Sequence, residues 1–255
     1  MSFVERLVID EEATGTILYD EHIVRYELAK QLVKGKIVLD IATGSGYGAH
    51  ILLQAGAKKI IGIDADAAAI AEAKKRYGHD LIDFKVGNAE SLYITDNSVE
   101  VITSFETIEH LGNYKKYLQE LARVLTGEGV AFISTPNRDV FGQKNPYHIK
   151  EFTKEEFISG LKECFAHVLL LEQKNGLASV ISGTNEQEEG NILIQDKNSP
   201  ALYFIAVCSQ VEISEKFQSI ASVNIRALKR WENNKGWKLV NMVYTGLQKI
   251  GFFKS

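Results

Sequence analysis

Four short runs of β-branched and other apolar residues recur along the first half of the chain and limit its fold more than any other feature. They span residues 36–41, 59–64, 99–105 and 130–136. Both faces of each run are apolar, which is typical of parallel strands buried inside a sheet. Helical patterns separate the runs, so the sequence predicts a parallel α/β sheet that is wound with helices on both faces.

Further segments extend this sheet to a predicted seven strands. Residues 81–87 add a strand after the second helix, and residues 167–173 and 201–209 are predicted closing strands. Asp66 is expected to cap the helix that follows it, and Thr153 with Glu156 forms a capping-box pattern at a later helix. The expected architecture is a doubly wound, mostly parallel sheet.

The pattern divides the chain into three parts. Residues 1–35 precede the first strand and include a predicted helix, 22–34, which we expect to act as a lid over the mouth of the sheet. Residues 36–211 form the main domain, with a long polar loop at 174–199. Residues 212–255 have their own helical patterns and are expected to form a helical extension.

Composition narrows the range of partners and compartments. The 29 basic and 33 acidic residues give a net charge of −4, so no global basic field attracts nucleic acid and we expect no nucleic-acid partner. The longest apolar runs reach about eight residues, well short of a membrane span. Cys164 and Cys208 lie in apolar stretches and are expected to be core thiols of a cytoplasmic protein.

The stretch VLDIATGSGYG places Gly44, Gly46 and Gly48 directly after the first strand. Glycines there permit a tight turn that a ligand can approach closely, and the following helix directs its free N–H groups at the ligand. With Asp64 twenty residues on, the loop also satisfies the loose dinucleotide pattern, so a nicotinamide oxidoreductase is an alternative. Asp40 favours another ligand, because a carboxylate at the end of the strand repels pyrophosphate and attracts an ammonium or sulfonium group.

The same stretch resembles the first motif of the class I S-adenosylmethionine-dependent methyltransferases. Four later segments are similar to further motifs of that family and occur in the same order: GIDAD, VGNAESL, SFETIEHL and RVLTGEGVAFISTPN. The resemblance covers roughly residues 20–210. It implies a Rossmann-like fold, methyl transfer and S-adenosylmethionine as cofactor. A non-catalytic cofactor-binding subunit with this fold is a further alternative.

The resemblance also implies roles for individual residues. Asp64 would hold the ribose, Asn88 and Ala89 would face the adenine, and Glu106 would lie at the mouth of the cofactor site. The implied cofactor-binding residues within these motifs are Asp40, Ala42, Gly44, Gly46, Asp64, Ala65, Asn88, Ala89 and Glu106. Two departures are mild: Thr43 stands where many members have Gly or Cys, and Asn88 stands where Asp is commoner.

Two histidines are the candidate catalytic residues, because a hydroxyl acceptor needs a base and histidine titrates near neutral pH. His110 follows the fourth strand directly, at the edge where ligands bind in open α/β sheets. His148 lies beyond the fifth strand, on a loop that we expect to fold over the same edge. The alternatives are a loop-shaping hydrogen bond for His110 and packing beside Phe152 for His148.

The segment TGTILYDEHIVRY supplies two further candidates for the cofactor site. Arg25 would pair with the methionine carboxylate of the cofactor, and Tyr19 would cover it; the alternative for Arg25 is a solvated helix charge. No cluster of His, Asp and Glu has metal-site spacing along the chain, so we expect no metal. Glu106, Glu109 and His110 are close in sequence, but they match the methyltransferase motif better.

The acceptor is suggested only by finer resemblance. The segments SFETIEHL, STPNRDVF and NPYHIKEFTKEEF resemble a subgroup of methyltransferases associated with bacterial cell-surface polysaccharide assembly. This implies a sugar hydroxyl on a nucleotide sugar or a glycan as acceptor, and a quinone precursor is the main alternative.

The C-terminal extension carries an apolar stripe with lysines nearby. The stripe consists of Leu239, Val243, Leu247 and Ile250. It is expected to pack on its own domain or on a second subunit of a homo-oligomer. The alternative is peripheral contact with the inner face of the membrane.

Overall fold

The computed structural model describes residues 16–142, 145–175, 200–214 and 217. The predicted stripe at 239–250 and most of the predicted loop at 174–199 lie outside these residues, as does most of the C-terminal extension. Within the described ranges, no helix is both long enough and apolar enough to cross a membrane.

Seven strands form one sheet, as the sequence predicts. Their bounds are β1 Ile37–Ile41, β2 Lys59–Asp64, β3 Ile82–Val86, β4 Val99–Ser104, β5 Leu125–Pro136, β6 His167–Gln173 and β7 Tyr203–Ser209. The strand order is β3-β2-β1-β4-β5-β7-β6. The first five strands are parallel, whereas β7 runs antiparallel to both β5 and β6.

The described residues form six helices, of which the first precedes β1 and the other five lie between strands. They are α1 Ile17–Ala29, α2 Tyr47–Gln54, α3 Ala67–Tyr77, α4 Tyr114–Val124, α5 Arg138–Phe141 and α6 Lys154–Lys162, with 3₁₀ turns at Lys30–Leu32 and Ile108–His110. The predicted caps are confirmed: Asp66 accepts a hydrogen bond from the backbone of Ala68, and Thr153 forms a capping box with Glu156.

Two predicted boundaries are wrong. The helix α1 begins at Ile17 rather than His22, because Thr16 caps it by accepting a hydrogen bond from the backbone N–H of Tyr19. The strand β5 begins at Leu125 rather than at Val130, so residues 126–129 belong to the strand. Leu125 pairs with Val99 at this end, and the register shifts before Val101.

The apolar residues divide into one cluster on each face of the sheet. Leu39 and Ile41 of β1 belong to the cluster that includes residues of α4 and α6, whereas Val38 belongs to the cluster that includes residues of α1, α2 and α3. Successive side chains of a strand point to opposite faces, so the alternation explains why β1 is buried on both sides. The predicted winding of helices on both faces is confirmed.

The helix α1 packs directly against the glycine loop. A Cβ atom added to Gly48 would lie 2.0 Å from Cζ of Tyr26, and one added to Gly46 would lie 2.8 Å from both Ala73 and Phe84. Gly46 also has φ +85°, in the region that favours glycine. Two of the three loop glycines are therefore required by the packing of neighbouring side chains, in addition to any contact with a ligand.

Substituting Gly48→Ala is expected to lower the free energy of unfolding by about 1–3 kcal/mol, because the buried Tyr26 ring has to move away from its hydrogen-bond partner. Urea unfolding followed by circular dichroism measures this. Gly127→Ala is the matched control, since a Cβ atom there meets nothing within 4 Å. Equal stability of the two variants would contradict the proposed packing constraint.

Candidate active site

The carboxyl ends of β1, β2, β4 and β5 meet at one edge of the sheet, and the predicted site residues follow these ends. In open α/β sheets this edge is where ligands bind, near the point at which strand order reverses. Here the order reverses between β1 and β4. The glycine loop leaves β1 at this point, so the predicted cofactor residues lie around the crevice.

Asp40 is the most buried charged group of the loop region. Its carboxylate accepts hydrogen bonds from the hydroxyls of Thr43 at 2.6 Å, Thr103 at 2.7 Å and Tyr26 at 3.2 Å. Burial raises the pKa of Asp40 to about 6, although the three hydroxyls oppose the shift. The side chain has no exposed surface, and its hydrogen bonds join the loop to α1 and β4.

Asp64 links the end of β2 to the glycine loop. One carboxylate oxygen accepts a hydrogen bond from the backbone of Gly44 at 2.9 Å, and the other accepts one from Asp66 at 2.9 Å. Ala42 and Gly44 in the same loop have φ values of +55° and +56°. A left-handed alanine is uncommon and indicates a backbone held in place by its surroundings.

The remaining predicted adenosine contacts lie at the ends of β2 and β3. Ala65 is exposed directly after Asp64, and Asn88 is exposed beside the half-buried Ala89. The side-chain oxygen of Asn88 accepts a hydrogen bond from the backbone of Glu90 at 2.8 Å. The backbone of Gly87 donates to the carbonyl of Asp64 at 3.0 Å, which brings the two strand ends together.

Arg25 is fully buried, which rules out the alternative of a solvated helix charge. Its Nε donates to the side chain of Gln173 at 2.8 Å, and its guanidinium lies 4.3 Å from the centre of the Tyr203 ring. Its Nη1 is 3.5 Å from Oε1 of Glu106. Neither Nη1 nor Nη2 has a hydrogen-bond partner among the described residues. Buried donors without acceptors are costly, so this guanidinium is suited to receiving a carboxylate.

No local sequence pattern indicates the residues that hold Arg25 in place. Gln173 donates to the backbone carbonyl of Glu21 at 3.0 Å, and the Tyr203 hydroxyl donates to the Glu21 side chain at 3.0 Å. Asn175 also donates to Glu21. These contacts attach α1 to the antiparallel pair β6–β7. Tyr19 is half-buried on the first turn of the same helix.

Glu106 follows β4 in a strained conformation, with φ +51°. Its backbone N–H donates to the Ser134 hydroxyl at 3.1 Å, and that hydroxyl donates to Oε1 of Glu106 at 2.7 Å. The pair of bonds to β5 holds the carboxylate near Arg25. Glu106 therefore lies directly after β4 beside Arg25, and its place in the cofactor site stays a prediction.

The loop that carries His148 folds over the edge where His110 lies, as the sequence predicts. The two imidazole rings contact edge to face, with centroids 4.8 Å apart. His110 Nδ1 lies 3.1 Å from the carbonyl of Tyr147, and the carbonyl of Glu109 accepts a bond from the backbone of Ile149 at 2.8 Å. These bonds attach the loop to the 3₁₀ turn that follows β4.

Two buried carboxylates, Glu109 and Glu151, lie beside these histidines, and only Glu109 stood out in the sequence. Glu151 accepts from His148 Nδ1 at 2.8 Å and lies three residues after it, which is a recognisable spacing. Glu109 precedes His110, and burial together with the charge of Glu106 raises its pKa well above the ordinary value. Both side chains are 1% exposed. His50 and His79 lie elsewhere: His50 stacks on Tyr77, and His79 accepts a bond from Leu81.

This sheet order, with an antiparallel seventh strand and a glycine loop after β1, defines the fold of the class I methyltransferases. Residues 39–133 match the family model described as a methyltransferase domain. Residues 39–133, from β1 into β5, are therefore similar to a methyltransferase domain, a class whose cofactor is S-adenosylmethionine rather than a nicotinamide dinucleotide.

Curated relatives agree with this assignment over part of their length. The chain is 35% identical over 143 residues to a protein of Mycolicibacterium smegmatis named a probable S-adenosylmethionine-dependent methyltransferase, covering 54% of each chain. It is 32% identical over 103 residues to a ubiquinone biosynthesis O-methyltransferase of Bartonella quintana, covering 40% of this chain and 41% of that protein. The chain thus spans about half the length, or less, of these relatives.

The fold is also shared with solved structures. A chain from the complex between the Haloferax volcanii Trm112 methyltransferase activator and a methyltransferase superposes with a TM-score of 0.58 at 17% identity. The match covers 80% of this chain and 96% of the other. At this level of identity the likeness describes the fold alone.

The raised pKa of Asp40 leads to a pH dependence of cofactor binding. Below pH 6 the carboxyl group is protonated and no longer attracts the sulfonium and ammonium groups, so affinity for S-adenosylmethionine should rise as pH increases from 5 to 7. We expect a change of about tenfold, equivalent to about 1.4 kcal/mol. Isothermal titration calorimetry at pH values across this window measures it.

Two controls test whether Asp40 is the source. Asp40→Asn should remove most of the pH dependence, and the neutral ligand methylthioadenosine should show little in either protein. If Asp40→Asn kept the full dependence, another group would be responsible.

Proposed function

We propose that the protein is a methyltransferase that transfers the methyl group of S-adenosylmethionine to a sugar hydroxyl, on a nucleotide sugar or a cell-surface glycan. The observation that carries the proposal is the pair His110 and His148, which lies at the same sheet edge as the cofactor residues, with Glu151 bonded to His148. The proposal assigns cofactor binding to the glycine loop and acceptor activation to the histidine pair.

The cofactor is assigned to the crevice by charge and by hydrogen-bonding capacity. In this arrangement Arg25 takes the methionine carboxylate with Nη1 and Nη2, which have no hydrogen-bond partner among the described residues, and Tyr19 covers that end. Asp64 accepts hydrogen bonds from the ribose hydroxyls, because its carboxylate lies at the carboxyl end of β2. Asn88 and Ala89 then flank the adenine at the end of β3.

The chemical step is an in-line displacement at the methyl carbon. The acceptor oxygen forms a bond to that carbon while the carbon–sulfur bond breaks, and the electron pair of the broken bond stays on sulfur. In the metal-free protein the hydroxyl proton passes to an imidazole of the histidine pair. Glu151 accepts a hydrogen bond from Nδ1 of His148, which favours the lone pair on Nε2; the acceptor hydroxyl would replace the Asn145 amide that lies 2.8 Å from this atom.

The acceptor class is supported by the sequence resemblance alone. Two segments resemble the polysaccharide-associated subgroup, namely SFETIEHL and NPYHIKEFTKEEF. The first contains His110 and the second contains His148. A quinone precursor is a second candidate, because one relative is named a ubiquinone biosynthesis O-methyltransferase. Both acceptors present a hydroxyl, so the same histidine pair serves either.

Two substitutions should distinguish the residue that binds the methionine carboxylate from the residue that binds the ribose. Arg25→Met is expected to weaken S-adenosylmethionine about tenfold or more and to leave methylthioadenosine, which lacks the carboxylate, nearly unchanged. Asp64→Ala should weaken both ligands about tenfold, since both carry the ribose. Calorimetry at pH 7.5 measures all four affinities.

The controls and contradicting outcomes differ for the two residues. Asp83→Ala, on β3 and away from the crevice, should bind both ligands normally. Equal loss of both ligands in Arg25→Met would indicate that the arginine only supports the fold. Unchanged affinity in Asp64→Ala would contradict its ribose assignment.

Turnover should depend on the histidine pair more than cofactor binding does. His148→Ala is expected to lower kcat by roughly 10²–10⁴-fold, with the affinity for S-adenosylmethionine unchanged. The assay measures transfer of a tritiated methyl group to sugar nucleotides, cell-envelope extracts and catechol-type quinone precursors. His167→Ala, an exposed histidine at the start of β6, is the matched control, and normal turnover by His148→Ala would remove that residue from the mechanism.

A further inference from the structure

The two histidines and a buried carboxylate form a cluster that local spacing in the sequence does not reveal. Glu109, His110 and His148 each offer one ligand atom, and these atoms all lie within 4.8 Å of one another. His148 reaches the other two only because its loop folds over the edge of the sheet. We propose that this cluster, which we call the Glu-His-His cluster, binds a divalent transition-metal ion such as Mn²⁺ or Zn²⁺.

The orientation of both imidazoles supports metal ligation. His148 Nδ1 lies 2.8 Å from a carboxylate oxygen of Glu151, and His110 Nδ1 lies 3.1 Å from the carbonyl of Tyr147. Both partners are hydrogen-bond acceptors, so each matches a tautomer that carries the proton on Nδ1 and the lone pair on Nε2. Histidines that bind metals characteristically donate their other ring N–H to a carboxylate or a carbonyl in this way.

The side-chain amide of Asn145 provides further evidence for the tautomer of His148. The Asn145 side-chain nitrogen lies 2.8 Å from Nε2 of His148, and the Asn145 oxygen accepts a bond from the backbone of Tyr147 at 3.0 Å. The amide nitrogen is thus a donor, which agrees with a lone pair on Nε2. A bound ion would replace that amide.

The burial and incomplete hydrogen bonding of the Glu109 side chain are a second observation that favours a bound cation. The residue is 1% exposed, and one of its carboxylate oxygens accepts a long bond of 3.3 Å from the Thr135 hydroxyl. The other oxygen, Oε1, has no hydrogen-bond partner in the described ranges. A carboxyl group in such a place either keeps its proton or, when ionised, pairs with a cation or coordinates a metal.

The donor set selects the kind of ion. Mg²⁺ and Ca²⁺ prefer ligand sets made of oxygen, whereas imidazole nitrogen favours Mn²⁺, Fe²⁺, Co²⁺ and Zn²⁺. Three protein ligands leave coordination positions for a substrate oxygen, as in catalytic rather than structural sites.

The inference rests on the proposed function for its role in catalysis. A histidine that ligates a metal cannot also accept a proton, so the ion would replace the imidazole as the group that activates the acceptor. Bound to the ion, the hydroxyl has a lower pKa, its proton passes to water, and the alkoxide attacks the methyl carbon as before. The carbon–sulfur bond again breaks with its electron pair on sulfur.

Metal binding is tested on the full-length protein at pH 7.5, after dialysis against a chelator and removal of the chelator. Titration calorimetry with MnCl₂, and separately with ZnCl₂, should give about one strong site per chain. Glu109→Gln and His148→Asn should each weaken binding by at least tenfold, whereas His167→Asn should bind as the unmodified protein does. Thermal melting identifies any variant that fails to fold.

A second measurement needs no variant. Pulsed electron paramagnetic resonance of the Mn²⁺-loaded protein should show coupling to imidazole nitrogen. Absence of that coupling, failure of both ions to bind, or equal binding by the cluster variants and His167→Asn would overturn the inference. Binding of S-adenosylmethionine to the metal-free protein is measured in parallel: its loss would contradict the proposed function, whereas its retention without metal binding would overturn only the metal site.

Discussion

The buried carboxylate of Asp40 is the interaction on which the cofactor crevice depends. Its three hydroxyl partners come from the glycine loop, from β4 and from α1, so one charge joins three segments that are distant in sequence. Burying an ionised carboxylate is costly, and three hydrogen bonds offset that cost only in part. Because the hydrogen bonds do not offset the whole cost of burial, the pKa of Asp40 stays above its ordinary value. A cationic ligand above the loop would offset more of it, so the same charge that organises the loop also favours the cofactor.

A second buried charge organises the opposite side of the crevice. Arg25 stands on α1, and its contacts to Gln173 and Tyr203 reach the antiparallel strands that close the sheet. The fold thus places a negative charge below the glycine loop and a positive charge beside it. S-adenosylmethionine carries both signs at its amino-acid end, and the two buried groups match that pattern. A pyrophosphate would match only one of them.

The sheet and the cofactor edge were predictable because their signals are local. Apolar strands, caps and the glycine loop each occupy a few consecutive residues, and the strand order follows from the rules of parallel sheets. The boundaries of α1 and β5 were less predictable, since Thr16 and the pairing of Leu125 with Val99 override the periodicity. Arg25 was identified, but its burial depends on Gln173 and Tyr203, which lie far away in sequence. The same limitation hid the Glu-His-His cluster, because His148 joins it only through folding of its loop.

The packing of Tyr26 into the space left by Gly48 has a consequence for how spent cofactor leaves. The tyrosine ring fills a position beneath the loop that no side chain at 48 permits, and its hydroxyl is bonded to Asp40. Swinging α1 outward would withdraw that ring, break the bond and loosen the loop in one movement. An outward movement of α1 that released the spent cofactor would therefore also loosen the glycine turn. The two changes would then occur at the same rate.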